Sequence, residues 1–181
     1  MGKSEIRRMI IERVKGQGSR VKEEKDKIIR QKLSALPEYK EAKTIGYYVS
    51  MDSEVDTRAL IDDALEAGKT VAVPVIAGDD LRFYRIENRG ADLAEGPCGI
   101  LQPDESREEP FSNDRMDLVI VPGLAFSKEG ARLGRGRGFY DRFLKGLPGR
   151  IKKIGLAYDI QIIQDLPVTP QDVPVDTVVT N

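Results

Sequence analysis

Residues 134–138 read Gly-Arg-Gly-Arg-Gly, and an aromatic pair and Asp141 follow them. Glycine lets backbone N–H groups approach an anion closely and adopts positive φ without strain. The guanidinium groups of Arg135 and Arg137 can donate bidentate hydrogen bonds to phosphate oxygens. A helix is predicted to begin at Phe139, and a helix N-terminus favours negative charge. The stretch therefore predicts a cradle for a polyphosphate, with Asp141 placed to meet the accompanying metal.

The glycine-rich stretch matches neither of two common nucleotide-binding motifs. It is not a Walker A loop, because no Gly-Lys-Ser/Thr follows the glycines. It is not the dinucleotide-binding fingerprint, because the third glycine comes one residue early and no strand is predicted directly before the loop. On composition alone, the stretch also fits an ordinary surface turn before a helix, or an RNA-contacting Arg/Gly loop.

The absence of histidine excludes several classes of catalytic site. A Ser-His-Asp triad, a His-based zinc site and an imidazole general base all need a residue type that the chain lacks. Any proton transfer must therefore use carboxylates, lysine, tyrosine, substrate or water.

Composition also limits the partners and the compartment. Charged residues make up 33 % of the 181 residues but the formal net charge is only −1, which argues against bulk electrostatic binding to nucleic acid or membrane. Cys98 is the single cysteine, so we expect an inert thiol, no internal disulfide and a cytoplasmic location. No apolar run approaches the length of a membrane span, and the charged N-terminal residues are not those of a signal peptide.

Two helices are predicted before the first strand. Residues 4–15 carry a one-sided apolar stripe, and Ser4 can cap them. Residues 19–36 form the second helix, which Ser19 can cap and which Pro37 ends. Its inward side chains are expected to be Val21, Ile28, Ile29 and Leu33.

Strands then alternate with helices. The predicted strands are residues 44–49, 70–75, 81–86, 117–121, 153–158 and 177–180. The predicted helices are residues 57–67, 139–147 and 159–164. Residues 76–80 are expected to form a hairpin turn, and residues 88–110 a long loop. This alternation predicts one α/β domain over residues 1–181, a three-layer sandwich with a mostly parallel central sheet and helices on both faces.

The loop after the first predicted strand contains the motif Glu-Val-Asp-Thr at residues 54–57. Open α/β sheets bind ligands in the loops at the carboxyl ends of their strands. Acidic residues are also common in ordinary surface loops. Glu54 by itself therefore does not identify a site.

The pattern Arg-Leu-Gly-x-Gly-x-Gly-Phe-Tyr-Asp-Arg-Phe-Leu at residues 132–144 closely resembles the 5-formyltetrahydrofolate cyclo-ligase family, the 5,10-methenyltetrahydrofolate synthetases. Val-Pro-Gly-Leu-Ala-Phe precedes it at residues 121–126. Further matches are the basic pair Lys3-x-x-x-Arg7, the motif at residues 54–57, and the stretches at residues 96–100 and 174–176. The resemblance therefore runs in order along the whole chain.

The resemblance implies that 5-formyltetrahydrofolate and MgATP are converted to 5,10-methenyltetrahydrofolate, ADP and phosphate. In the chemistry proposed for the family, the formyl oxygen attacks the γ-phosphate and gives an imidoyl phosphate. Folate nitrogen 10 then closes the ring, and phosphate leaves. The protein need only align the substrates and stabilise developing phosphoryl charge, which a chain without histidine can do.

The resemblance also implies site residues, with Arg137 and Asp141 in the catalytic roles. It places ATP on Lys3, Ser4, Glu5, Ile6, Arg7, Arg132, Leu133, Gly134, Arg135, Gly136, Arg137, Gly138, Phe139 and Tyr140. It places folate on Val49, Glu54, Arg135, Gly136, Arg137, Gly138 and Phe139. It places Mg²⁺ on Asp141 and Asp172. The expected partners are these small molecules alone, without nucleic acid or membrane, and the expected state is a monomer.

Three positions depart from the family pattern. Cys98 stands where an aromatic residue is usual, Phe139 where tyrosine is commoner, and Gln171 where histidine is usual. Glutamine can form hydrogen bonds but carries no proton at neutral pH, so we expect a structural or binding role at Gln171.

Two alternative functions remain open on the sequence. One is a paralogue that acts on another formylated amine. The other is a nucleotide- or RNA-binding module that uses the Arg/Gly loop. The intact motif at Glu54 argues against the second, because a pure phosphate binder needs no acid for a pterin.

Overall fold

The computed structural model describes residues 1–96, 99–104 and 109–181. Three helices precede the first strand: α1 (Lys3–Lys15), α2 (Ser19–Ala35) and α3 (Pro37–Glu41). The later described helices are α4 (Arg58–Glu66), α5 (Arg89–Asp92) and α6 (Phe139–Lys145). Short 3₁₀ turns occur at Asn113–Arg115 and Asp159–Gln161. No helix in the described ranges is long and apolar enough to cross a membrane.

The central sheet has six strands in the order β10-β9-β6-β1-β2-β3. They are β1 (Thr44–Gly46), β2 (Thr70–Ala77), β3 (Asp80–Ile86), β6 (Leu118–Val121), β9 (Lys152–Ala157) and β10 (Thr177–Thr180). All neighbours run parallel except β3, which pairs antiparallel with β2 through a tight hairpin. Two small antiparallel pairs lie outside this sheet: β4 (Leu93–Glu95) with β5 (Leu101–Pro103), and β7 (Ala125–Phe126) with β8 (Arg132–Leu133).

Both faces of the sheet are buried, which explains the continuous apolar run of β6. Successive side chains of a strand point to opposite faces. Leu118 and Ile120 join the core that includes residues of α1, α2 and α4. Val119 and Val121 join a second core with Phe143 of α6, whose ring stacks on Phe83 with centroids 4.6 Å apart. The three-layer α/β architecture with a mostly parallel sheet is thereby confirmed.

The predicted caps of the first two helices are wrong. The N-cap residues are Gly2 and Gly18, so Ser4 and Ser19 lie inside the helices. At α1, the carboxylate of Glu5 accepts a hydrogen bond from the Gly2 N–H over 2.7 Å, which satisfies one backbone donor at the start of the helix. A side chain three residues into a helix can satisfy the first backbone donors as well as a cap residue can.

Two of the four side chains expected to face inward from α2 are exposed. Ile29 and Leu33 are buried, whereas Val21 is 45 % exposed and Ile28 is 40 % exposed. Adjacent helix residues differ by about 100° around the axis. The stripe of Val21 and Ile28 is therefore rotated away from the stripe that packs on the sheet.

Three predictions about strands and the segments between them also need correction. The first strand ends at Gly46: the Tyr47 N–H still donates to the Ala72 carbonyl of β2 over 2.9 Å, but the Tyr48 carbonyl then accepts from Thr57 Oγ1 over 2.7 Å. The predicted loop at residues 88–110 contains α5, β4 and β5. Strand β8 directly precedes the glycine loop, contrary to expectation. Two-residue strands carry too few residues for an alternating pattern to reveal them.

Cys98 lies outside the described residues.

Candidate active site

Three loops that follow parallel strands meet at one edge of the central sheet. Tyr158, directly after β9, places its hydroxyl 3.2 Å from the carbonyl oxygen of Glu54, in the loop after β1. Gln161 donates from Nε2 to the carbonyls of Gly123 and Leu124, after β6, over 3.2 and 3.0 Å. This is the edge at which the parallel strands end, where open α/β sheets form ligand crevices.

The glycine loop, residues 134–138, rests on the first helix. Arg7 Nε donates to the Gly134 carbonyl over 2.9 Å, and a Cβ on Gly136 would lie 3.5 Å from the Arg7 guanidinium carbon. Gly136 and Gly138 adopt φ values of 105° and 70°, a region that other residues rarely enter. The loop conformation therefore depends on glycine at these two positions.

Arg132 and Asp141 form a buried ion pair beneath this loop. The Arg132 side chain is 3 % exposed and donates from Nη2 to Asp141 Oδ1 over 2.6 Å. The same carboxylate oxygen accepts from the Val173 N–H over 3.1 Å. One oxygen of Asp141 therefore joins the strand before the loop, the helix after it and the C-terminal segment.

A second carboxylate, that of Asp172, lies near the Arg132–Asp141 pair and is bonded by Lys3. The Lys3 Nζ lies 2.5 Å from Asp172 Oδ2, which also accepts from the Thr169 N–H. Burial raises the pKa of Asp172, but the hydrogen bonds from Lys3 and Thr169 outweigh it and lower the pKa. Because Val173 contacts Asp141, the two carboxylates predicted to hold a metal belong to adjoining segments. Within the described ranges, no three His, Cys, Asp or Glu side chains form a metal-holding group.

The acid predicted to bind folate is buried and paired with the glycine loop. Glu54 is 8 % exposed, and its Oε2 accepts from the Met51 N–H over 2.9 Å. Arg135 donates to Glu54 Oε1 over 3.4 Å and to Ser53 Oγ over 2.7 Å. Burial raises the pKa of Glu54, and the bonds from Met51 and Arg135 only partly offset that rise.

Tyr140 contributes a buried hydroxyl that has no hydrogen-bond partner among the described residues. Burial raises its pKa, the nearby charge of Glu54 raises it further, and Arg132 opposes the rise. The Arg132 guanidinium lies 6.0 Å from the centroid of the Tyr140 ring. The hydroxyl is therefore neutral and keeps its capacity to form a hydrogen bond.

Arg137 is exposed at the tip of the glycine loop. Its guanidinium lies 5.5 Å from the centroid of the Phe139 ring, and that of Arg142 lies 5.3 Å from the same centroid. Arg142 also holds the loop, because it donates to the carbonyls of Asp79 and Arg137 over 2.9 and 3.1 Å. Arg142 is thus anchored, whereas Arg137 presents its charge to solvent.

The remaining predicted site residues differ in how a ligand can reach them. Ser4 and Glu5 are exposed on the first turn of α1. Ile6, Val49 and Leu133 are buried in the core, so a ligand could meet only their backbone or the edge of a side chain. Gln171 is exposed.

A cleft of about 200 Å³ lies beside Glu54, between α2 and the loop after β1. A larger cavity of about 440 Å³ opens at the other end of the sheet, where β1 and β2 begin, and none of the predicted site residues lines it. We assign the smaller cleft to the site because the buried acid Glu54, which pairs with Arg135 of the glycine loop, lines it.

The fold brings together the glycine loop, Glu54 and the basic first turn of α1. Comparison with known proteins identifies the family in which this chain belongs. The model of the 5-formyltetrahydrofolate cyclo-ligase family matches residues 1–181. The chain belongs to this family. A cyclo-ligase from Mus musculus is 34 % identical over 161 residues, covering 83 % of this chain and 79 % of that protein.

Further cyclo-ligase family relatives agree in sequence and in fold. The 5-formyltetrahydrofolate cyclo-ligase of Escherichia coli (strain K12) is 34 % identical over 143 residues, covering 77 % of this chain and 78 % of that protein. The NMR structure of Aquifex aeolicus 5,10-methenyltetrahydrofolate synthetase has a TM-score of 0.87 and 34 % identity, covering 99 % of this chain and 90 % of that chain.

Sequence reasoning missed the residues that support the predicted ones. Ser53 accepts a hydrogen bond from Arg135. Tyr158 contacts the loop of Glu54 and donates to Asp26 over 2.7 Å. Gln161 donates to the loop after β6. Ser53 adjoins a motif and could have been suspected. The other three carry no local signal, because their partners are distant along the chain.

Proposed function

We propose that this protein catalyses the ATP-dependent cyclisation of 5-formyltetrahydrofolate to 5,10-methenyltetrahydrofolate, with release of ADP and phosphate. Membership of the cyclo-ligase family supports the proposal. The observation that carries it is the contact of Arg135 with Ser53 and Glu54, which brings a phosphate-binding type of loop against a buried acid. An enzyme that transfers the γ-phosphoryl group of ATP to the formyl oxygen of a folate needs its two binding loops this close.

We assign ATP to the glycine loop and its basic surroundings. Arg7 and Lys3 lie against this region from α1, and Arg135 and Arg137 extend from the loop itself. Arginine suits this role because its planar fork matches phosphate oxygens. Arg137 is the residue that we place on the γ-phosphate, since its guanidinium is stacked on Phe139 rather than ion-paired with a described carboxylate.

We assign the pterin of the folate to Glu54. A carboxylate can accept two parallel hydrogen bonds from an amide edge. Oε2 is held by Met51 and Oε1 by Arg135 at the long distance of 3.4 Å, which a ligand donor can replace. Val49 and residues 135–139 complete the proposed folate contacts.

We propose that the carboxylates of Asp141 and Asp172 would hold the Mg²⁺ that accompanies ATP. The residues fit this ion, because Oδ1 of Asp141 and Oδ2 of Asp172 are engaged by cations while the second oxygen of each remains for a ligand. Mg²⁺ commonly uses one or two carboxylates together with substrate phosphates. When bound, the ion would supply charge neutralisation on the phosphates.

In the proposed reaction, the substrates carry the nucleophiles. The formyl oxygen attacks the γ-phosphorus, the bond to ADP breaks, and an imidoyl phosphate results. Nitrogen 10 then bonds to the formyl carbon, loses its proton, and phosphate leaves with the former formyl oxygen. The chain aligns these groups and stabilises phosphoryl charge through Arg135 and Arg137, and no histidine is needed.

Small-molecule substrates are the proposed partners. A monomer, a cytoplasmic location and the lack of nucleic-acid or membrane partners remain proposals that rest on composition and charge.

The test is the absorbance of the methenyl-folate band in purified protein mixed with 5-formyltetrahydrofolate and MgATP. We expect the band to appear only when both substrates and Mg²⁺ are present, with one ADP formed for each methenyl group. Binding of ATP without any cyclisation would contradict the proposal. It would instead favour the paralogue, which a panel of other formylated amines would then test.

A further inference from the structure

A residue of α2 forms hydrogen bonds that hold the loop that carries Glu54. Asp26 Oδ1 accepts hydrogen bonds from the Asp56 N–H over 3.2 Å and from the Tyr158 hydroxyl over 2.7 Å. The Tyr158 hydroxyl also lies 3.2 Å from the Glu54 carbonyl oxygen. Asp26 therefore binds the backbone of Asp56 directly. The Tyr158 hydroxyl lies between Asp26 and the Glu54 carbonyl and has one proton that either acceptor can receive.

This connection begins on rigid elements. Tyr158 is fully buried at the end of β9, where its N–H donates to Gln161 Oε1 over 2.8 Å. Asp26 is partly buried in the middle of α2 and lines the cleft beside Glu54. Burial raises the pKa of Asp26, so holding an acid at this position has a cost that its hydrogen bonds partly offset.

We propose that Asp26 is a positioning residue: together with Tyr158 it fixes the backbone of residues 54–56 so that Glu54 presents its carboxylate to the folate. This inference rests on the proposed function. The hydrogen bonds of Asp26 go to the folate loop and to Tyr158 rather than to the glycine loop. Loss of Asp26 therefore affects folate binding and leaves ATP binding nearly unchanged.

A neighbouring ion pair provides a matched control. Lys25, next to Asp26 on α2, bonds Asp159, next to Tyr158, over 2.5 Å. This pair joins the same two elements, but the side chain of Asp159 is 53 % exposed and its backbone N–H bonds Asn181. Asp159→Ala therefore removes a link between helix and strand without touching the loop of Glu54.

The kinetic experiment compares Asp26→Ala, Asp26→Asn and Asp159→Ala in the methenyl absorbance assay. Asp26→Ala should raise the KM for 5-formyltetrahydrofolate about tenfold, because hydrogen bonds to a charged acceptor are lost. Its KM for ATP should stay near the wild-type value. Asp26→Asn should restore the folate KM, because an amide oxygen accepts the same two bonds. Asp159→Ala should leave both KM values near wild type.

Tyr158→Phe provides a second route if Asp26→Ala does not fold. It removes one hydroxyl from a buried ring and should raise the folate KM in the same direction. Where Asp26→Ala does fold, the double variant Asp26→Ala/Tyr158→Phe should show a non-additive effect, because the two side chains share one bond.

Amide hydrogen exchange over residues 51–57 is independent of activity. Exchange of the Asp56 amide should accelerate in Asp26→Ala and return toward the wild-type rate in Asp26→Asn. Unchanged exchange, or ATP and folate KM values that rise equally, would overturn the inference. A wild-type protein that forms no methenyl product would refute the proposed function instead, and the exchange rates would still decide whether Asp26 holds this loop.

Discussion

Arg135 and Glu54, 81 residues apart in sequence, lie in direct contact: Nε and Nη2 of the arginine are each 3.4 Å from Oε1 of the glutamate. The side chain of Glu54 is 9 % exposed and that of Arg135 is 40 % exposed. The contact joins the proposed ATP loop to the proposed folate loop.

Glu54→Gln should weaken folate binding and leave ATP binding near normal. Glutamine keeps one acceptor but presents an amino group to the donors of the pterin, which removes a charge-assisted bond worth about 1.5–3 kcal/mol. Calorimetry with an ATP analogue and with 5-formyltetrahydrofolate measures the two affinities separately. Ser53→Ala is the matched control, since it removes the other contact of Arg135 and keeps the acid. Equal losses of both affinities in Glu54→Gln would make Glu54 a structural residue.

Arg137→Ala should impair the use of ATP more than the binding of folate. Loss of a charged hydrogen bond to phosphate costs about 1.5–3 kcal/mol, which corresponds to a loss of roughly 10- to 150-fold in kcat/KM for ATP. Initial rates at varied ATP measure this. Arg13→Ala, which removes an exposed arginine from the last turn of α1, is the control for net charge. An ATP dependence equal to that of Arg13→Ala would refute the assignment.

Asp141→Ala should destabilise the fold as well as the proposed metal site. It leaves the Arg132 guanidinium, 3 % exposed, without its carboxylate. Removing one partner of such a pair costs about 3 kcal/mol of the free energy of unfolding. Urea denaturation measures this, with Glu24→Ala as control, because the exposed Arg20–Glu24 pair contributes about 0.5 kcal/mol or less. Equal midpoints for the two variants would show that the buried pair adds no stability.

The raised pKa of Glu54 predicts how stability varies with pH. Burial lifts this pKa above the ordinary value of 4.5, so the folded state binds more protons than the unfolded state in the window above that value. The contribution of Glu54 to the free energy of unfolding is therefore present at low pH and is lost as pH rises through the folded pKa. Compared with Glu54→Gln, the wild type should lose stability as the pH rises above the ordinary glutamate value of 4.5. Parallel pH–stability curves for the two proteins would contradict this.

Gln171→His should change activity by less than about tenfold, or under roughly 1.4 kcal/mol. The side chain at this position is exposed, and substrate-driven phosphoryl transfer needs no imidazole. The wild-type rate should also lack an enzyme ionisation near the ordinary histidine pKa of about 6.5, once substrate ionisations are subtracted. A hundredfold gain together with a new limb near that pH would assign the family histidine a role in proton transfer and make this chain a weakened enzyme.

Several features could be predicted from amino-acid pattern because their causes are local. The continuous apolar run that became β6 and the turn at Gly78 between β2 and β3 each lie within one short stretch of sequence. The spacing of glycine and arginine at residues 134–138 likewise places phosphate-type donors in one loop. Local periodicity and turn chemistry were sufficient for the α/β class and for locating this loop.

Tertiary contacts account for what pattern missed. Gly2 and Gly18 became N-caps, Val21 and Ile28 were left exposed, and β8 formed because it pairs with β7. Each outcome depends on which surface another element covers. Hydrophobicity along a helix indicates that a stripe exists, but packing against the sheet selects the stripe that is buried.

The arrangement of the site is likewise a product of the fold. Composition and motif resemblance single out Glu54, Arg135 and Asp141. The order of residues along the chain does not show that Arg135 pairs with Glu54. Nor does it show that Arg132 is buried against Asp141. Asp26 carries no motif at all, and it reaches the loop of Glu54 only because α2 packs beside the end of β9. Residue types determine which chemistry is available, whereas the distances that make it usable arise when remote segments meet at the end of the sheet.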